Sequence, residues 1–325
     1  MPPPLRRPPV TVCIAAQCAW ANPNGTLSRM IITASDRMIT AGDIEYEPPQ
    51  RKICFLTKKA LILIAGDYPP HSEALMNTQR NLASEPVSEL GHIAEIFAGY
   101  LRACSARFGE QTYLSPFGLT LDDFVQGRHG LSADLVSSLA NSLLNEKQME
   151  CEAIVVGADD FGAHLYLVDQ RGRVSCHDDV GFIAIGIGAP HAKSQFMASQ
   201  FSSNLPFIPV LALLYAAKRR AEAAPGVGLG TDMFMVGADG WEEIWPETME
   251  SLRTNFENYE TARKALAFDA VKRIQGSMEQ TAEKRAAARA QAQAQAQPQP
   301  SERQTPKDQP ANPATSSKDQ TRSET

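Results

Sequence analysis

Four residues near the start of the 325-residue chain are of types that together can cleave an acyl bond: Thr11, Asp36, Lys52 and Gly66. A threonine hydroxyl is a weak nucleophile until a neighbouring base takes its proton. An α-amino group on the same residue has an unperturbed pKa of about 7.7 to 8.0 and so is a base suited to neutral pH. A lysine cation close by, steadied by a carboxylate, favours the neutral amine and stabilises alkoxide character on the hydroxyl. A glycine at a strand end has no Cβ to block approach, so its N–H can donate to the oxyanion of a tetrahedral intermediate. Taken singly, each has an ordinary role: Thr11 in a strand, Asp36 and Lys52 as a solvated ion pair, Gly66 and Asp67 in a turn. Their joint spacing sets them apart, with 16 residues from Asp36 to Lys52 and 14 from Lys52 to Gly66.

These residues sit in four segments: Thr11-Val12-Cys13-Ile14-Ala15-Ala16, Ile32-Thr33-Ala34-Ser35-Asp36-Arg37, Arg51-Lys52-Ile53 and Ile64-Ala65-Gly66-Asp67. Further along come Tyr166-Leu167-Val168-Asp169, Gly186-Ile187-Gly188-Ala189-Pro190, and a glycine-rich stretch from Gly226 to Met233. Over about Thr11 to Trp245 the chain resembles the proteasome β-subunit family of N-terminal-nucleophile (Ntn) hydrolases. That family has a strand beginning with threonine, a second ending Ala-Ala-Asp-Arg, a lysine opening the third, and Ala-Gly closing the fourth. The spacings from aspartate to lysine and from lysine to glycine agree without a gap.

The resemblance implies an α+β fold, a four-layer αββα sandwich of two antiparallel sheets. It implies a threonine-type amide-bond hydrolase working through an acyl-threonine ester. In it Thr11 is nucleophile and carrier of the base, Asp36 and Lys52 tune it, and Gly66 forms the oxyanion hole. Glu222 and Gly226 take supporting positions, Glu222 at that of the family's aspartate before its glycine-rich loop. Implied too are a peptide or small amide substrate, a homo-oligomeric ring or stack, and no metal or organic cofactor. Ile187 and Ala189 stand where the family's turn carries serines, and Pro225 where a serine follows the aspartate. A catalytically inactive scaffold subunit and a non-peptide amidase therefore remain as other readings.

The chemistry requires an amine on Thr11, which lies inside the chain. Residues 1 to 10 read as a propeptide removed autocatalytically, or as a mis-assigned start in which Val10 is a GTG initiation codon and methionine removal exposes Thr11. The Pro/Arg-rich segment Met1 to Pro9 suits either account.

The elements that must position these residues follow from pattern. Val10 to Cys18 and Met30 to Ser35 read as a hairpin with a long loop, and Lys52 to Leu56 with Ala60 to Ala65 as a second pair. Helices are predicted from Pro69 to Ala83, from Val87 to Phe108 with apolar residues at three- and four-residue steps, and from Ser132 to Leu144. Strands return at Ala153 to Val156, His164 to Val168 and Phe182 to Ile185. Helices follow from Pro190 to Phe201 and from Pro209 to Ala224, then strands at Met233 to Val236 and Glu242 to Trp245. Clustered strands and clustered helices argue for antiparallel layers over alternating parallel βαβ units.

Beyond Met278 there is no Val, Ile, Leu, Met, Phe, Trp, Tyr or Cys, so the end of the chain has almost nothing to bury. The division expected is residues 1–10, a domain at 11–248, a C-terminal helix at 249–289 with an apolar face of Leu252, Phe256, Tyr259 and Leu266, and a disordered tail at 290–325. The segment Gln111 to His129 reads as an insertion. A net charge of −6 argues against a nucleic-acid partner held through phosphates. No apolar run reaches membrane-helix length. The six cysteines are scattered without zinc-ligand spacing and the six histidines form no metal motif, so buried free thiols and a reducing cytoplasm are expected. A second reading of the N-terminus is a signal peptide, with Arg6-Arg7, the run Val10 to Ala16, and Ala19-Trp20-Ala21 as a cleavage site.

Overall fold

The computed structural model describes residues 11–21, 27–41, 44–47, 51–66, 68–145 and 151–295. The expected propeptide, Asp67 and residues 296–325 of the expected tail lie outside these described residues, whereas residues 290–295 of that tail are helical, in a last helix that spans Pro246–Gln295 instead of 249–289. Strands β1 (Cys13–Ala21) and β2 (Leu27–Ser35) form the expected hairpin, with Cys13 opposite Ser35 and Ala21 opposite Leu27. The ladder carries both strands further toward their connection than the β-branched runs predict. Trp20 extends β1 there, packed edge-on against Phe207 with ring centroids 5.2 Å apart.

Two short strands, β3 (Ile39–Ala41) and β4 (Ile44–Tyr46), pair with each other in a two-stranded sheet. Among the described residues six strands therefore precede the first helix rather than the four predicted, because three-residue strands are too short to show a period. Next come β5 (Ile53–Thr57), β6 (Ala60–Gly66), α1 (Tyr68–Ser84) and α2 (Leu90–Gly109). The expected insertion is a π-helical turn at Glu110–Leu114, a 3-10 turn at Ser115–Phe117 and α3 (Leu121–Val125) with a Thr120 capping box. After α4 (Ala133–Asn145) follow β7 (Cys151–Asp159), β8 (Gly162–Val168), the unpredicted β9 (Val174–Cys176) and β10 (Phe182–Ile185). The order closes with α5 (Ala189–Ala198), α6 (Phe207–Ala221), β11 (Asp232–Gly237), β12 (Gly240–Glu243) and α7 (Pro246–Gln295).

One five-stranded antiparallel sheet has the order β10-β1-β2-β11-β12 and the other β5-β6-β7-β8-β9. Alternate residues of each central strand serve different cores, as the two-residue period requires. On β1, Ile14, Ala16 and Cys18 pack with α5 and α6, while Cys13 and Ala15 face the second sheet. On β6, Leu61, Leu63 and Ala65 face the first sheet, while Ile62 and Ile64 pack with α1 and α2. Burial on both faces explains why β1 and β6 read as continuous apolar runs. On α2, Leu90, Ile93, Ala94, Phe97 and Leu101 make the buried stripe that their helical spacing predicts. The result is an α+β sandwich of two antiparallel sheets with helices.

The chain divides after Asn258. In the first unit, Met249, Leu252 and Phe256 of α7 pack against the core shared by β1, α5 and α6. In the second unit the rest of α7 is exposed almost throughout, including Tyr259 and Leu266 from the predicted apolar face. None of the six cysteines is in a disulfide; Cys13, Cys18, Cys104 and Cys151 are buried, Cys54 is half-buried and Cys176 is exposed. Among the described residues no helix is long and apolar enough to cross a membrane.

Candidate active site

Thr11 stands two residues before β1, Asp36 directly follows β2, and Lys52 directly precedes β5. The register Cys13 to Ser35 puts the entry of β1 beside the exit of β2 and so brings Thr11 to Asp36. The Thr11 hydroxyl donates to Asp36 Oδ1 at 2.5 Å. Lys52 Nζ reaches across from the second sheet and donates to Thr11 Oγ1 and to both carboxylate oxygens of Asp36, at 2.9 and 3.0 Å. Three of the four residues singled out by spacing therefore form one contiguous cluster with directional contacts.

Asp36 is fully buried and the Lys52 side chain is 14% exposed, which separates this pair from a solvated surface pair. A buried carboxylate persists only if its oxygens are satisfied. Besides Thr11 and Lys52, Asp36 accepts from the amides of Val12 (2.9 Å), Met38 (3.0 Å) and Gly228 (3.1 Å). Its lone pairs are committed, and it acts as the fixed anchor of the cluster. Thr11 is itself gripped by the turn that joins β10 to α5. Gly188 N–H donates to the Thr11 carbonyl at 3.1 Å, and Gly186 lies so close that a Cβ there would fall 2.4 Å from that oxygen. Gly186 also has a φ of +86°, a conformation that favours glycine.

Gly66 ends β6 opposite Cys151, with a φ of +123°. Two residues earlier, Ile64 donates its N–H to the Lys52 carbonyl at 3.2 Å and accepts the Cys13 thiol at 3.6 Å. The end of β6 thus abuts both Lys52 and β1. Burial drives the Cys13 thiol far above its usual range, which leaves it a neutral core group beside the cluster.

Glu222 and Gly226 have other duties than contact with Thr11 Oγ1, whose partners are Asp36 and Lys52. Glu222 caps α6 and accepts from Lys218 Nζ at 2.7 Å, with Arg219 Nε 3.5 Å from its second oxygen. Gly226, at φ +82°, turns the chain from α6 into the glycine-rich loop. Lys218 is wholly buried, and desolvation pushes its ammonium below the usual 10.5 against the opposing pull of Glu222. It also donates to the carbonyls of Gly228 and Leu229, each at 2.9 Å. No sequence signal marks Lys218, because its i,i+4 pairing with Glu222 is that of an ordinary helix surface.

Two further residues frame the site. Arg37 forks onto the buried carboxylate of Asp232, its Nε 3.1 and 3.0 Å from the two oxygens, and so ties the end of β2 to the start of β11. Among the described residues, no group of three or more His, Cys, Asp or Glu is arranged to hold a metal ion.

No protein-family model matches the chain, and no curated protein matches it. The arrangement itself offers a hydroxyl between a cation and an anchored carboxylate, at the junction of two sheets. The hydroxyl proton is held by Asp36 Oδ1, and a threonine hydroxyl becomes a nucleophile only when a base takes its proton.

Proposed function

We propose that the protein is a threonine-type amide-bond hydrolase of the proteasome-like Ntn class, with the four-layer αββα sandwich of that fold. The observation that carries this reading is Lys52 Nζ in contact with both Thr11 Oγ1 and the buried Asp36 carboxylate. With Thr11 first in the processed chain, its α-amine takes the hydroxyl proton and the oxygen attacks the substrate carbonyl. The Lys52 cation stabilises the charge that develops on Oγ1, and the Gly66 N–H receives the oxyanion. Collapse of the tetrahedral intermediate expels the amine with the proton, leaving an acyl-threonine ester. Water then attacks the ester by the same route in reverse.

Peptides are the proposed substrates over other small amides, in the reducing cytoplasm that suits six cysteines without a disulfide. The proposed working form is a homo-oligomeric ring or stack. A second reading, a scaffold subunit with the same fold and no turnover, is favoured by Ile187 and Ala189. Neither side chain offers a hydroxyl to hold the amine of Thr11.

Intact-mass analysis of the purified protein, before and after treatment with a β-lactone or epoxyketone, tests the proposal. A chain beginning at Thr11 that gains one adduct, lost in Thr11→Ala, is the expected result. A chain correctly processed to Thr11 that takes no adduct refutes the hydrolase and favours the scaffold.

A further inference from the structure

Lys218 lies on the buried face of α6, among Val210, Leu211, Leu214, Ala217 and Ala221. A lysine there is tolerated only if its charge is paired and all its donors are met. Its ammonium has three N–H groups and three acceptors: Glu222 Oε1, the Gly228 carbonyl and the Leu229 carbonyl. Two of the three belong to the loop that runs from Gly226 toward β11. The same Gly228 whose carbonyl is held by Lys218 sends its N–H to Asp36 Oδ2 at 3.1 Å. Leu229 turns its side chain to solvent, 69% exposed, so the loop is secured from beneath through its backbone.

We infer that Lys218 is a positioning residue of the Thr11 site, tying the glycine-rich loop down by two carbonyls so that the Gly228 N–H stays on Asp36. Glu222 neutralises the buried ammonium through Oε1, and Arg219 Nε lies 3.5 Å from its other oxygen. An apolar residue at position 218 leaves two loop carbonyls unpaired, releases Gly228 and removes one of the bonds that orient Asp36 toward Thr11 and Lys52. The inference rests on the hydrolase reading for its catalytic consequence and on geometry alone for the loop.

The test has two arms. Amide hydrogen exchange of the intact protein is followed by NMR in wild type, Lys218→Met and Glu222→Gln. Gly228 is expected to exchange about tenfold faster in Lys218→Met, as for one lost charge-assisted hydrogen bond, and less so in Glu222→Gln. Amides of the β6–β7 ladder are expected to keep their wild-type rates. Gly228 exchange that stays at the wild-type rate in the folded variants overturns the inference, and Glu222→Gln decides it if Lys218→Met does not fold. In the second arm, chains that begin at Thr11 are acylated by a β-lactone. The rate constant at saturation is expected to fall about tenfold in Lys218→Met with an unchanged half-saturation concentration. Equal rate constants overturn the positioning role. If the wild type also takes no adduct, the hydrolase reading has failed, and Gly228 exchange decides the role of Lys218 by itself.

Discussion

Asp36 gathers five donors on one buried carboxylate: a hydroxyl, an ammonium and three backbone amides. Removing it strands all of them, Lys52 included. Asp36→Ala is therefore expected to destabilise the fold by about 3–5 kcal/mol, the range for breaking a buried charge pair, measured by urea unfolding. Lys52 differs in that its ammonium is the only cation touching Thr11 Oγ1 among the described contacts. On the proposed mechanism, Lys52→Met lowers the rate of Thr11 acylation by about 10²–10³, the effect of deleting one preorganised charge-stabilising donor. The rate of adduct formation by mass spectrometry is the measurement, and wild-type rates in a folded Lys52→Met refute the role. At this scale the spacing of Thr11, Asp36 and Lys52 already marked them as a set. The amide of Gly228 carries no side-chain signal and lies 192 residues from Asp36, so only the folded chain reveals it.

Elements place these residues through their ends and turns. The β10–α5 turn fits only because Gly186 has no Cβ and takes a positive φ. Gly186→Ala combines left-handed strain with a clash on the Thr11 carbonyl, and is expected to cost about 1–3 kcal/mol in thermal unfolding. It is also expected to abolish acylation of Thr11 in whatever fraction folds. A second turn ties a helix to a sheet. Asp159, at the end of β7, accepts from Leu90 N–H at the start of α2 (3.0 Å) and from Phe161 N–H (2.9 Å), and meets His164 Nε2 at 3.2 Å. Burial pushes its carboxyl up, but these two amides and the imidazole outweigh burial and hold it below the ordinary 3.8. A depressed folded pKa contributes stability above 3.8 that is lost as pH falls through the folded value. Asp159→Asn is therefore expected to be less stable than wild type at neutral pH. The gap closes below pH 3.8 in urea titrations, and a gap that persists unchanged into that range contradicts the assignment. Short apolar, β-branched runs bounded by turn residues made most strands legible, since the central strands are buried on both faces, and three- and four-residue apolar steps did the same for the long helices. The hairpin of β3 and β4, and β9, stayed hidden because three residues carry no readable period.

For the molecule as a whole, α7 divides between two uses. Met249, Leu252 and Phe256 seal the core over α6 and β1, and Phe256 meets Tyr215 edge-on with centroids 6.0 Å apart. Past Asn258 the side chains are exposed almost throughout, Phe268, Ile274 and Met278 among them. A chain ending at Asn258 is therefore expected to keep the full-length unfolding midpoint. One ending at Trp245 is expected to lose several kcal/mol, at about 1.5–3 kcal/mol for each large apolar side chain removed from the core. Differential scanning calorimetry of the two truncations is the check, and a large loss in the longer one refutes this division of α7. The amino-acid sequence by itself determined the order of the longer strands and helices, the apolar faces of those that pack in the sandwich, and the spacing that singles out Thr11, Asp36, Lys52 and Gly66. Backbone geometry imposes periods of two and 3.6 that side-chain types record locally. Only the tertiary structure decided that Lys218 is buried, that Glu222 serves it instead of Thr11, and that the helical pattern stops burying side chains after Phe256. Those outcomes depend on which distant segments meet, and contacts across so many residues are set by packing of the sheets and their loops, which no local period encodes.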